Sequence, residues 1–370
     1  MRIGIAGAGL AGRLAAWRLV LAGHDVTVFD PADGPERGPV RFAGPEARAD
    51  DPAIAPAAGW TAAGMLSPIA ELETADAEVF ALGLRSLDLW QRYEAQLSGP
   101  IGLRRAGSLM LAYGSDAGAA RRVVDALTAR APAAHRPEPI TLERLRTLEP
   151  DIHGPALAWE LAGEGQVDAV LAMRALADAG AARGVRFRWG VRAAPGDGWI
   201  DVEPPAGADA PADAGRHRFD HVIDARGVGA RPDLPVRGVR GEIFWLHAPG
   251  VRLGRPLRLL HPRHRVYLVP RDGDRIVVGA SEIESEDRSA PSLRSTVELL
   301  AAAHSVMPAL AEARVIRQDV NLRPAMPDNL PVISHRAAST AINGLFRHGW
   351  LIAPALVEKA LGALIGFPHD

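Results

Sequence analysis

The run Met1-Arg-Ile-Gly-Ile-Ala-Gly-Ala-Gly-Leu-Ala-Gly12 decides the fold of this chain. An apolar strand turns at once into a helix that continues to about Leu19, and Gly7, Gly9 and Gly12 stand at the turn in the spacing of a dinucleotide cradle. Gly7 permits the tight turn, Gly9 lets backbone approach a pyrophosphate, and Gly12 lets the helix press against the strand. The helix N-terminus then aims oriented N–H groups at the phosphates. A second strand, His24-Asp-Val-Thr-Val-Phe-Asp30, ends in an acid suited to a ribose hydroxyl pair. Strand, glycines, helix, strand and terminal acid in register make the motif specific, while leaving FAD and NAD(P) both open.

The composition removes most other chemistries. A chain of 370 residues with 48% hydrophobic residues can bury a sizeable core and is long enough for two domains. Forty-two basic against 44 acidic residues give a net charge of -2, which favours no polyanionic partner, so nucleic acid is not expected. With no cysteine there is no disulfide, iron–sulfur cluster, thiolate nucleophile or cysteinyl flavin link, so redox chemistry must come from a bound organic cofactor. Lys359 is the only lysine and stands near the C-terminus, a poor place for Schiff-base chemistry. The opening strand is not a secretory signal, and no apolar run reaches membrane-spanning length, so a cytoplasmic protein without membrane contact is expected. His261 and His264 flank a presumed turn without a further clustered ligand, and no metal site is expected.

Residues 31 to 57 are rich in Pro, Ala, Gly, Asp and Arg and read as a long irregular loop. Helical spacing runs from Glu71 to Tyr93, Arg105 to Tyr113 reads as a strand, and Asp116–Arg130 and Thr141–Leu148 as helices. Asp168 caps a helix reaching about Arg183, Val185 to Val191 and His221 to Gly229 are strands, and Ala193–Arg216 reads as a hairpin tip or loose surface loop. Strands at Gly241–His247, Arg265–Pro270 and Asp274–Ala280 suit one wall of a substrate pocket; Leu293–Met307 is helical, and a last helix follows Pro354.

These segments together resemble the flavin-dependent D-amino-acid oxidase family, and within it the glycine oxidase type of thiamine biosynthesis. Besides the opening glycines, the resemblance rests on Ala63-Gly-Met-Leu-Ser-Pro68, Val236-Arg-Gly-Val-Arg-Gly-Glu242, Tyr267-Leu-Val-Pro-Arg271, Val277-Val-Gly-Ala280, Leu322-Arg-Pro324 with Pro327-Asp328, and Phe346-Arg-His-Gly349 with Ala353-Pro354. It runs nearly end to end. It implies an α/β fold: a Rossmann-like FAD-binding domain (1–75, 156–235 and 313–370) and a second, α+β substrate domain carrying a mostly antiparallel sheet (76–155 and 236–312).

The resemblance also implies the site. Arg323 and Tyr267 would hold the carboxylate of an amino acid and Arg347 would stand near the flavin, these three being the catalytic residues. Non-covalent FAD would lie against Gly7, Gly9, Leu10, Ala11, Gly12, Asp30, Pro31, Ala63, Gly64, Met65, Val191, Gly227, and the stretch Leu345, Phe346, Arg347, His348, Gly349, Trp350 and Leu351. Taken singly, Arg323 reads instead as a loop arginine paired with Asp328, and Tyr267 as a sheet-packing tyrosine. The implied reaction is oxidative deamination of a small amino acid. Glycine is the best candidate, giving iminoacetate or glyoxylate with ammonia and hydrogen peroxide. The implied setting is a homotetramer serving thiazole formation, with a thiazole synthase as partner. A sarcosine or D-amino-acid oxidase or dehydrogenase, and a flavin-binding module of a tRNA-modifying protein, are the competing readings.

Overall fold

A computed structural model of the chain describes residues 1–36, 56–204, 214–261 and 265–365. Residues 37–55 of the expected 31–57 loop, 205–213 of the Ala193–Arg216 excursion, and Pro262 and His264 lie outside the described residues.

Two sheets organise the molecule. The first has six strands in the order Val332–His335, Ser339–Asn343, His221–Asp224, Arg2–Ala6, Asp25–Asp30 and Arg186–Trp189. All pairings in it are parallel except that of the edge strand Val332–His335 with its neighbour Ser339–Asn343. Its central strands bury both faces, so Ile3 to Ala6 carries no polar side chain and Val222 and Ile223 are fully buried. The Ala- and Leu-rich helix Leu10–Leu21 crosses between the first two strands, as the opening motif requires.

The second sheet has eight strands in the order Arg314–Ala325, Arg237–His247, Arg275–Gly279, Arg265–Arg271, Leu257–Leu260, Ser108–Ala112, Leu157–Leu161 and Glu138–Ile140. It is antiparallel apart from the junction of Leu257–Leu260 with Ser108–Ala112, in keeping with the mostly antiparallel substrate sheet expected from the sequence.

Asp168 caps the helix Ala169–Ala182 by accepting from the amides of Val170 and Leu171. Three segments differ from expectation. The helix placed from Glu71 begins at Ala77, because Pro68–Glu71 is a separate short helix and Asp76 accepts the amide of Val79 as the new N-cap. The excursion Ala193–Arg216 contributes to a three-stranded sheet of Arg192–Gly196, Trp199–Glu203 and Gly215–Arg218, since Ile200 and Val202 bury against Phe29, Val191 and Val222.

The last helix starts at Gly349, before Pro354 rather than after it. Proline at position 354 removes the bond to the carbonyl of Trp350, and the indole Nε1 of Trp90 donates to that carbonyl instead, at 3.0 Å. The next amide, Ala355, donates to Ser86 Oγ at 3.1 Å. Trp90 also stacks on Trp350, with centroids 5.5 Å apart, tying the long helix Ala77–Gln96 to the helix that begins beside the site. Among the described residues no helix is long and apolar enough to cross a membrane.

Candidate active site

A cavity of about 1490 Å³ is lined from both sheets. That exceeds the roughly 300–1,000 Å³ of ordinary small-molecule sites and leaves room for a dinucleotide with a substrate beside it. Its walls bring together Gly7, Gly9, Leu10, Ala11, Asp30, Pro31, Ala63, Gly64, Met65, Gly227, Tyr267, Arg323 and the run from Leu345 to Leu351. Gly12 and Val191 are the two sequence-derived candidates absent from the lining. Gly12 acts through packing, since a Cβ there would collide with the carbonyl oxygen of Gly7. Val191 is buried, and its amide donates to the carbonyl of Asp30 at 3.1 Å.

The cradle fits a dinucleotide. Gly7 has φ 99°, a left-handed conformation that glycine adopts without strain. Among the described residues a Cβ at Gly9 would meet only the methyl of Ala57, at 3.5 Å, which leaves room for a phosphate above the helix N-terminus. Asp30 accepts the amides of Ala8 at 2.6 Å and Ala32 at 2.8 Å, and burial nonetheless pushes its carboxyl up. Ala63 and Gly64 form a fixed wall further along: Arg271 donates to the carbonyl of Ala63, and Val167 to that of Gly64. The helix Gly349–Ile365 starts at the cavity and directs its positive end there.

At the other end, strand register builds a row across the second sheet. Ile243 lies opposite Gly279, Gly279 opposite Tyr267, and Tyr267 opposite Arg258, so the four share one face and all but Gly279 line the cavity. Gly279 makes the row possible, because a Cβ there would stand 2.6 Å from the Tyr267 hydroxyl. Burial pushes that phenol up, which keeps it a proton donor at neutral pH.

Arg323 stands on the neighbouring strand Arg314–Ala325 and leans over Gly241. Its terminal nitrogens donate to the carbonyls of Arg240, at 3.1 Å, and Ser281, at 2.9 Å. It does not pair with Asp328, whose carboxylate accepts from the amide of Leu330. Among the described residues it has no carboxylate partner, and burial pushes its guanidinium down from the ordinary value. Two carbonyls fix such a fork while leaving its charge to be met by a ligand.

Arg347 is held differently. It sits in the turn Phe346–His348, and its Nε and Nη2 both donate to Glu71 Oε2, at 3.0 and 2.8 Å. Nη2 also donates to Thr74 Oγ1, and Nη1 lies 3.4 Å from Glu282 Oε2. Arg258 takes the other oxygen of Glu71, at 2.9 Å, and His348 Nδ1 lies 3.3 Å from Oε2. Burial alone would raise the Glu71 carboxyl, but the guanidiniums of Arg347 and Arg258 overcome it and hold it well below the usual carboxylate range.

Sequence reasoning missed Glu71, Arg258 and Glu282. The only local sign was an acid closing the apolar run after Ala63 and an arginine set between Leu257 and Leu259 on a strand it did not find.

Comparison with known proteins adds to this geometry. The model of the family described as FAD dependent oxidoreductase matches residues 2–359. A putative thiamine biosynthesis oxidoreductase, ThiO, of Rhizobium etli is 35% identical over 367 residues, covering 99% of this chain and 97% of that protein. The crystal structure of glycine oxidase from Geobacillus kaustophilus superposes with a TM-score of 0.78 at 22% identity, covering 99% of this chain and 95% of the other. That of iminodiacetate oxidase from Chelativorans sp. BNC1 gives 0.79 at 23% identity, covering 99% and 96%.

Proposed function

This chain belongs to the FAD dependent oxidoreductase family, and we propose that it oxidises small amino acids, glycine first, at the wall formed by Tyr267 and Arg323. The product imine takes up water to give glyoxylate and ammonia, and oxygen is reduced to hydrogen peroxide. The observation that carries this reading is Arg323, a half-buried guanidinium without a carboxylate partner among the described residues, lining with the half-buried phenol of Tyr267 the same cavity as the cradle.

FAD, held by the Gly7–Ala11 turn, Asp30 and the Ala63–Gly64 wall, supplies a two-electron acceptor that oxygen regenerates. The remaining work falls to side chains. Arg323 meets the substrate carboxylate through its planar fork and Tyr267 adds its hydroxyl as a donor, so the Cα–H is fixed in one direction. No protein base is assigned, because the amine is taken as the neutral species. Arg347 is assigned to shaping the wall, its charge met by Glu71 and Glu282. The N-terminus of the helix Gly349–Ile365 favours negative charge developing in front of it.

We place the reaction in the cytoplasm, in a homotetramer, with a thiazole synthase of thiamine formation as the consumer of the imine. The test is oxygen consumption by the flavin-loaded protein. Glycine should yield glyoxylate and hydrogen peroxide in equal amounts. Turnover of sarcosine or D-alanine without glycine would change the substrate, and turnover of none of them would reject the reading.

A further inference from the structure

Three guanidiniums, of Arg258, Arg323 and Arg347, line the cavity near Tyr267, together with two carboxylates, of Glu71 and Glu282. Glu71 is committed to Arg258 and Arg347 and its side chain is 12% exposed, whereas that of Glu282 is 48% exposed and, among the described residues, makes one ion pair, 3.4 Å to Arg347 Nη1. The backbone around Glu282 is nevertheless fixed. Ser281 gives its carbonyl to Arg323 Nη2, and Ile283 exchanges both backbone bonds with Arg240, at 2.9 and 3.0 Å. The carbonyl of Arg240 also accepts from Arg323 Nη1. Glu282 thus follows directly on the residue whose carbonyl holds Arg323, and its carboxylate takes Arg347 Nη1, the nitrogen that Glu71 and Thr74 leave to it.

We propose that Glu282 is a specificity-determining residue that restricts the site to amines carrying one carboxylate. It occupies the Arg347 nitrogen that a second carboxylate would need, and it sets a like charge where that group would lie. Selection of this kind works by repulsion of the wrong ligand rather than by tighter contact with the right one. The inference rests on the proposed role of Arg323 as carboxylate anchor.

The test measures binding to flavin-loaded protein, followed through the flavin absorbance, of malonate and of malonamate, which has the same shape with one carboxylate replaced by an amide. Wild type should bind malonate at least roughly tenfold more weakly than malonamate, and Glu282→Gln should close that gap while Glu282→Asp keeps it. The same exchange should raise kcat/KM for iminodiacetate relative to glycine. Equal binding of the two ligands by wild type would overturn the proposal even if no variant folds, as would an unchanged gap in Glu282→Gln. If wild type bound neither ligand, the Arg323 anchor itself would fall, and the proposal with it.

Discussion

A methyl group built on Gly241 would stand 2.6 Å from Cζ and from both terminal nitrogens of Arg323. The guanidinium therefore lies directly over a backbone with no side chain, and glycine at 241 is a spatial requirement of the site rather than of the strand. Gly279 stands in the same relation to the Tyr267 hydroxyl, so both groups proposed to hold the substrate carboxylate rest on glycines in neighbouring strands.

Gly241→Ala should accordingly push Arg323 off its two carbonyls. Overpacking of this sort costs about 1–3 kcal/mol, and the loss should appear as a higher KM for glycine with flavin content unchanged. Steady-state kinetics with a flavin-to-protein absorbance ratio checks it, and an unchanged KM would show that Arg323 does not depend on the space above Gly241.

Removing the anchor is more severe. Truncating one partner of a buried charged pair costs about 2–5 kcal/mol, so Arg323→Ala should lower kcat/KM for glycine by on the order of thirtyfold to several thousandfold. FAD should remain bound. Loss of flavin instead would make Arg323 a structural residue.

Glu71 should govern stability in acid. Its carboxyl is held below the usual range when folded, so its contribution is fully present above the unfolded carboxylate pKa of about 4.3 and is lost as pH falls through the lower folded value. Glu71→Gln removes the carboxylate that Arg258 and Arg347 share, leaving Arg347 with Glu282 alone, and should cost about 3–5 kcal/mol at neutral pH. Thermal unfolding from pH 7 to pH 3 should show wild type losing this margin at the acid end, so that it falls more steeply than the variant there; parallel curves would contradict the assignment.

Gly9→Leu tests the cradle. The added side chain would fill the space where, among the described residues, only Ala57 is near, so FAD affinity should fall beyond measurement while the far-ultraviolet dichroism of the apoprotein stays the same. Fluorescence titration with FAD reads this directly, and retained tight binding would move the pyrophosphate elsewhere.

What the sequence disclosed and what it hid follow from distance along the chain. The glycine turn, the acid at 30 and the cap at Asp168 are local signals, complete within a few residues of one another. Glu71 meets Arg258 187 residues away and Arg347 276 residues away, and no local pattern announces such a meeting. Resemblance to a family drew attention to Arg323 and Tyr267, and its motifs contain Gly241 and Gly279, but it gave the two glycines no role beneath them. Composition also misled: Trp199 to Val202 sits in a Pro- and Ala-rich stretch, yet its alternate residues bury against Phe29 and Val222 and make a strand. Pro354 likewise marked a helix start in sequence, whereas Trp90 satisfies the carbonyl it leaves free and lets the helix begin earlier.

Anaerobic mixing of the flavin-loaded protein with glycine is the most direct test of the central claim, that Arg323 and Tyr267 present a small amino acid for oxidation. The oxidised-flavin absorbance should bleach with glycine in the wild type, return on admission of air, and persist in Arg323→Ala. A wild-type protein that stays yellow with glycine, sarcosine and D-alanine alike would contradict it.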